Sequence, residues 1–105
     1  MALGTPKRRV VITGYGTVNP LGGNAADTFE RASRGESGID EIRAFDTTGL
    51  PCRVGGEIDE AWLEPLRQFD LYNNSRLDKF ASRAVRLMVI ATREATEMAR
   101  LGEIA

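Results

Sequence analysis

The chain has 105 residues, the size of one ordinary domain, and a globular composition with 42% hydrophobic and 28% charged residues. Its 14 basic and 15 acidic side chains give a formal net charge of -1, which excludes a general attraction to nucleic acid or anionic lipid. With no histidine and a single cysteine, the chain by itself excludes histidine-dependent catalysis, Cys-His nucleophiles, ordinary zinc sites and an internal disulfide.

The first elements surround a glycine-rich loop. Residues 1–7 have the character of a flexible leader, and "RRVVIT" at residues 8–13 predicts a buried β-strand because its β-branched residues are consecutive. After the loop, "NAADTFERASRG" predicts a helix with Asn24 as its N-cap and Gly35 at the C′ position. The predicted order is therefore strand, glycine loop and helix.

The middle of the chain predicts little regular structure. Residues 37–51 are rich in turn formers and predict an irregular connection, whereas "CRVGGEI" at residues 52–58 predicts a short strand with a glycine break. Residues 59–74 predict a mixed connection whose short helical turns end near Pro65.

The strongest predicted element is a long amphipathic helix at residues 75–102, capped by Ser75 and stopped by Gly102. At 100° per residue, its apolar side chains form one stripe: Leu77, Phe80, Ala81, Ala84, Leu87, Met88, Ala91, Ala95 and Met98. Val89 and Ile90 fall outside this stripe, which indicates that more than one face is covered. Two short strands and one small helix are thin cover for such a helix, so we expect the isolated chain to lack a complete core.

The loop "GYGTVNPLGGN" at residues 14–24 raises the question of a phosphate cradle. A dinucleotide fingerprint needs Gly-x-Gly-x-x-Gly, but Asn19 stands at the third glycine position and Pro20 stiffens the loop after it. We therefore expect a structural turn, formed by Gly14, Gly16, Pro20 and Gly22, whose glycines permit positive φ and close backbone packing. A small dinucleotide-binding domain remains the alternative.

Three stretches together resemble a known family. "RRVVITGYGTVNPLGGNAADTFERASRGESGI" is similar to the N-terminus of β-ketoacyl-acyl-carrier-protein synthases, especially the synthase II type. "FDTTGLPCRVGGEI" at residues 45–58 resembles the Phe-Asp segment of that family, and residues 75–102 resemble its long helix with the Arg-x-Asp-x-Phe opening. The likeness covers nearly the whole chain in the same order.

The resemblance implies an α/β, thiolase-like fold, present here only in part. It implies a cytoplasmic parent enzyme of fatty-acid synthesis, an acyltransferase that is a homodimer and needs neither metal nor cofactor. In the implied reaction a cysteine is acylated, malonyl-carrier protein is decarboxylated, and the carbanion attacks the acyl thioester. Two histidines polarise the malonyl thioester carbonyl.

The nucleophilic cysteine and both histidines of the family lie beyond the matched part, so the chain looks like the first quarter of such an enzyme and is predicted to be inactive alone. Cys52 aligns with an early strand and is predicted to be a structural core or strand residue. The predicted partners are the remainder of the synthase, or a complementary chain, and acyl carrier protein. The family uses basic residues near the start of the long helix for the carrier, which implies Arg76 with Arg67 and Lys79 nearby.

Other classes of function have less support. A non-catalytic assembly subunit that pairs with a second, catalytic chain is the main alternative. Carboxylates are spread through turns, which does not indicate an acid–base pair, and the aromatic side chains occur without a basic groove for nucleic acid. The mixed charges on the polar face of the long helix argue against a membrane surface.

Overall fold

The computed structural model describes residue 4 and residues 6–68 and 81–103. They form a small α/β arrangement of two helices, a two-stranded antiparallel ribbon and two 3-10 segments. In chain order these elements are α1 (Ala25–Ser33), β1 (Ile39–Glu41), β2 (Val54–Gly56), a first 3-10 segment (Glu60–Gln68), α2 (Arg83–Met98) and a second 3-10 segment (Leu101–Glu103).

Helix α1 confirms its prediction at both ends. The Asn24 side chain accepts a hydrogen bond from the Asp27 amide at 2.8 Å, and Asp27 places a negative charge in the first turn. At the other end Gly35 adopts a φ of 77°, and the amides of Gly35 and Glu36 donate back to the carbonyls of Ala32 and Arg31. This Schellman arrangement needs a residue that tolerates the left-handed region.

The predicted strand at residues 8–13 is wrong. These residues belong to no strand, and Val10, Val11 and Ile12 are 93%, 67% and 86% exposed. A strand needs a hydrogen-bonded neighbour, and within the described ranges the two strands pair only with each other. The β-branched run therefore lies open to solvent. It follows the predicted flexible leader (residues 1–7), and we call it the apolar leader segment (residues 10–12).

The antiparallel ribbon lies after α1. Strand β2 confirms the short strand predicted at residues 52–58, while β1 lies in a region predicted to be irregular. The register pairs Ile39 with Gly56 and Glu41 with Val54. Beyond the ladder, the Glu57 carboxylate accepts hydrogen bonds from the amides of Arg43 and Ala44 at 2.7 and 3.0 Å, which holds the connecting loop to β2.

The first 3-10 segment runs through Pro65, although the sequence predicts that the helical turns end there. A proline removes only its own N–H, so a 3-10 segment continues past it with one hydrogen bond fewer. The segment packs against α2.

Helix α2 accounts for part of the helix predicted at residues 75–102, of which residues 75–80 lie outside the described ranges. It begins at Arg83, with Ser82 as the N-cap whose hydroxyl accepts from the Val85 amide at 3.3 Å, so Ser75 is not the cap of this helix. It ends at Met98, before Arg100, which adopts a φ of 57°; Gly102, the predicted stop, lies in the second 3-10 segment. Local capping by Ser82 therefore decides where the described helix begins.

The core is small. Among the described residues, only two large apolar side chains are buried, Leu66 (2% exposed) and Ile90 (7% exposed). Ile90 falls outside the predicted apolar stripe, whereas Met88, which belongs to the stripe, is 67% exposed. The first 3-10 segment packs against α2, so contacts with a neighbour decide which face is buried. None of the helices in the described part combines the length and apolar character needed to cross a bilayer.

Candidate functional site

The glycine loop, residues 14–24, is where most of the described elements meet. It connects the apolar leader segment to α1, and it contacts α1, α2, the ribbon and the first 3-10 segment. We take it as the candidate site because its contacts decide whether it can bind an anion.

Two glycines lie directly on helix α2. A β-carbon on Gly16 would overlap the carbonyl oxygen of Ala91 and lie 2.9 Å from its carbonyl carbon. A β-carbon on Gly14 would overlap the Ala95 carbonyl oxygen and lie 2.9 Å from the Ala99 amide nitrogen. Neither glycine has positive φ, so the expectation of positive φ is wrong for both. Their role in the fold is to let the loop backbone approach the backbone of α2 closely.

Glu94 of α2 reaches the loop at two points. Its Oε1 accepts a hydrogen bond from the Ala25 amide at 2.7 Å, and its Oε2 accepts from the Thr17 amide at 3.4 Å. Ala25 is the first residue of α1, so the carboxylate lies at the positive end of that helix. One half-buried side chain thus joins Thr17 of the loop and the start of α1 to the long helix.

Asn19 organises the centre of the loop. Its Oδ1 accepts hydrogen bonds from the amides of Leu21 and Gly22 at 2.8 and 3.0 Å. Its Nδ2 donates to the hydroxyls of Thr17 and Thr28 at 3.0 and 2.9 Å. A single carboxamide therefore closes an Asx-type turn and attaches it to α1.

Pro20 and the remaining glycines complete the contacts. A β-carbon on Gly22 would lie 2.7 Å from the Thr28 hydroxyl, and one on Gly23 would lie 2.8 Å from the Trp62 ring. Pro20 lies against the ribbon, where a β-carbon on Gly56 would be 2.7 Å from its Cγ. The Trp62 ring is thus used in local packing.

These contacts determine what the loop can do chemically. The amides of Thr17, Leu21, Gly22 and Ala25 all donate to side-chain oxygens of the chain itself. A phosphate at the start of α1 would meet the Glu94 carboxylate, which already lies there, and would lose affinity by like-charge repulsion. The loop amides that could bind a phosphate thus already donate to oxygens of Asn19 and Glu94, and this geometry disfavours the dinucleotide alternative.

Cys52 is exposed and lies two residues before β2, so the expected core position is wrong. Its thiol donates to the Val54 carbonyl at 3.3 Å, across its own turn. The exposed Cys52 side chain is therefore not part of the core.

The predicted carrier-protein contacts lie largely outside the described residues. Arg76 and Lys79 are not among them, and Arg67 lies in the first 3-10 segment. The contact of these three residues with acyl carrier protein therefore stays a prediction.

The carboxylates that the structure describes serve local roles. Asp46 accepts hydrogen bonds from the Thr48 hydroxyl at 2.6 Å and the Thr48 amide at 2.9 Å, and these bonds hold the pKa of the Asp46 carboxyl below its usual value. Glu60 pairs with Arg83, which ties the first 3-10 segment to the start of α2. Across the described ranges, no three side chains of metal-binding types lie together.

Sequence reasoning missed Asn19 and Glu94. The signal for Asn19 is the Asn-Pro pair, which favours a turn and an Asx hydrogen bond. The signal for Glu94 is an acidic residue next to the small side chains of Ala91 and Ala95 in the apolar stripe. A charge on a face that packs against backbone points to a specific partner.

The family is shown by comparison with known proteins. The family model described as "Beta-ketoacyl synthase, N-terminal domain" matches residues 7–104. Among curated relatives, 3-oxoacyl-acyl-carrier-protein synthase 2 of Staphylococcus aureus (strain COL) is 35% identical over 94 residues, which cover 90% of this chain and 21% of that protein. The chloroplastic synthase I of Arabidopsis thaliana is 38% identical over 97 residues, covering 92% of this chain and 19% of that protein.

The matches cover only a small part of each relative. The chain spans about a fifth of the length of the curated relatives it matches. The family match extends over the glycine loop, both helices and the ribbon. The chain belongs to the β-ketoacyl synthase family, of which it carries N-terminal sequence.

Proposed function

We propose that this chain is the N-terminal part of a 3-oxoacyl-acyl-carrier-protein synthase with a thiolase-like fold. The observation that carries the proposal is the match to named synthases over nine tenths of the chain but only about a fifth of their length. The parent activity is the decarboxylative condensation of malonyl-carrier protein with an acyl thioester, in the cytoplasm.

In this proposal the chain supplies scaffold and no catalytic group. It has no histidine to polarise a thioester carbonyl, and its single thiol, Cys52, is exposed in a turn. Asn19 and Glu94 hold the glycine loop between α1 and α2, so we propose that Gly14, Gly16, Pro20 and Gly22 serve as a structural junction.

The exposed apolar surface supports association with the rest of a synthase. The apolar leader segment is open to solvent, and Phe29 and Met88 are 77% and 67% exposed. Soluble monomers rarely leave so much large apolar surface uncovered. We propose that the remaining part of the fold, in the same polypeptide or in a complementary chain, covers it.

The proposal predicts that this 105-residue chain releases no carbon dioxide from malonyl-carrier protein, because it has no histidine to polarise the thioester carbonyl and its single thiol, Cys52, is not the family's nucleophile. The measurement is a radiolabelled decarboxylation assay with an acyl thioester primer. The positive control is the same assay with a complete synthase of the family under the same conditions. Turnover by the 105-residue chain would contradict the proposal.

Sequencing the gene beyond the codon for Ala105 separates the proposal from its alternative. We expect the reading frame to continue through a cysteine and two histidines. A stop codon at that point would refute the enzyme interpretation of this polypeptide. In that case co-purification with a second chain bearing these residues would favour the assembly subunit.

We further propose that Arg76, with Arg67 and Lys79, contributes to the contact with acyl carrier protein. Carrier proteins are acidic, and complementary charge acts mainly on encounter and specificity. Charge reversal, Arg76→Glu, in the complete enzyme is expected to raise the KM for carrier protein several-fold while leaving kcat unchanged. The matched control is Arg53→Glu, an exposed arginine before β2. Equal KM values for the Arg76 variant and the unsubstituted enzyme would remove this assignment.

A further inference from the structure

We infer that Glu94 positions the glycine loop by acting as an internal anion at the start of α1. Its two carboxylate oxygens accept hydrogen bonds from amides that lie 69 and 77 residues away in sequence. The inference goes beyond the proposed function, because it concerns how the loop is held and requires no condensing activity.

The chemistry of the two contacts explains why a carboxylate is needed. The first amides of a helix have no intrahelical acceptor, and the helix dipole places partial positive charge there. In α1 the Asn24 side chain takes the Asp27 amide, and Glu94 Oε1 takes the Ala25 amide at 2.7 Å. Glu94 Oε2 remains to accept from Thr17.

A carboxamide of the same size does not reproduce both contacts, because the two amides bind different oxygens of the Glu94 carboxylate. With the carboxamide oxygen at one amide, its NH2 group would face the other N–H, donor against donor. An aliphatic side chain would leave both amides without this acceptor. Glu94→Gln removes the charge and keeps the side-chain volume, whereas Glu94→Ala removes both. Comparing the two variants therefore separates the role of the charge from that of the volume.

The position of Glu94 in the packing gives this contact its consequence. A β-carbon on Gly16 would lie 3.0 Å from the Glu94 β-carbon, so the loop passes directly over this turn of α2. The hydrogen bonds of Glu94 thus hold the loop where the glycines permit close approach.

The test is amide hydrogen exchange by NMR on the full 105-residue chain. In Glu94→Gln we expect the Thr17 amide to exchange about tenfold faster, because a charge-assisted hydrogen bond is lost, with a smaller increase at Ala25. In Glu94→Ala both amides are expected to exchange faster by at least that factor. The Asp27 amide, bound to Asn24, is the internal reference and is expected to keep its rate.

The matched control is Glu97→Gln, on the same helix. Glu97 is exposed and pairs with Arg93, so its substitution is expected to leave the Thr17 and Ala25 amides unchanged. If Glu94 merely fills space, Glu94→Gln will preserve both exchange rates, which would overturn the inference. Absence of protection at these two amides in the unsubstituted chain would overturn it as well.

A double-mutant cycle decides the case in which Glu94→Gln accelerates all amides alike. Ala25→Pro removes the donating N–H at a helix position that tolerates proline, and Asn24 already has the extended backbone that precedes proline. We expect the shift of the urea midpoint caused by Glu94→Gln to shrink at least by half in the Ala25→Pro background. An equal shift in both backgrounds would refute the inference.

Discussion

Replacing Gly16 by alanine is expected to separate the glycine loop from α2 and to lower the free energy of unfolding by about 3 kcal/mol. The added β-carbon would overlap the Ala91 carbonyl oxygen, which is backbone inside a helix and cannot rotate away as a side chain could. Because only Leu66 and Ile90 form the described core, a loss of this size is a large fraction of the stability of such a chain. Urea unfolding followed by far-ultraviolet circular dichroism measures it.

The matched control for this substitution is Gly102→Ala. A β-carbon added at Gly102 would meet no heavy atom within 4 Å, and Gly102 has no positive φ, so alanine there is tolerated. Its urea midpoint is expected to stay constant or rise slightly, since alanine restricts the unfolded chain. Equal midpoints for the Gly16 and Gly102 variants would show that the loop does not lie against α2 as described.

Asn19→Ala is the second substitution with a large expected effect. It removes the side-chain acceptor of the Leu21 and Gly22 amides and the donor to two threonine hydroxyls. Gly22 is buried, and without the Asn19 side chain its amide keeps only the 3.2 Å hydrogen bond to the Asn19 backbone carbonyl. Losing the four side-chain hydrogen bonds of Asn19 is expected to cost about 2–3 kcal/mol in total, which we expect to appear as a lower urea midpoint.

Asn24→Ala provides the comparison for Asn19→Ala. Asn24 is the N-cap of α1, and its side chain accepts from the Asp27 amide and donates to the Asp27 carboxylate at an exposed position. Losing this cap is expected to cost about 1 kcal/mol. A larger loss of stability for Asn24→Ala than for Asn19→Ala would contradict the central role of Asn19 in the loop.

The parts of the fold that were predictable are those fixed by neighbours in sequence. Helix α1 follows from Asn24, Asp27 and Gly35, which lie within one or two turns of the groups they cap. Strand β2 was also predictable, as a short strand with a glycine break within residues 52–58. Strand β1 was not, since a three-residue strand with two acidic side chains exists only through its pairing with β2.

The candidate site was predictable only in outline. Its glycines and Pro20 could be identified as a structural turn, but close approach to the carbonyls of Ala91 and Ala95 requires knowing which helix lies beneath them. In the comparison with the dinucleotide fingerprint, Asn19 matters only because it stands where the third glycine would be. The Asn19-Pro20 pair nevertheless favours a turn. Glu94 could not be assigned a partner, because the amides it binds are 69 and 77 residues distant.

The amino-acid sequence by itself determined the family, the ends of α1 and the absence of histidine from this chain, since these depend on residue identity and local hydrogen bonds. The tertiary structure decided that residues 8–13 form no strand, that Ile90 is buried while Met88 is exposed, and that Glu94 lies at the start of α1. A strand exists only with a hydrogen-bonded neighbour, and a buried face exists only where another element covers it. Both are properties of contacts between distant residues, which no local pattern specifies.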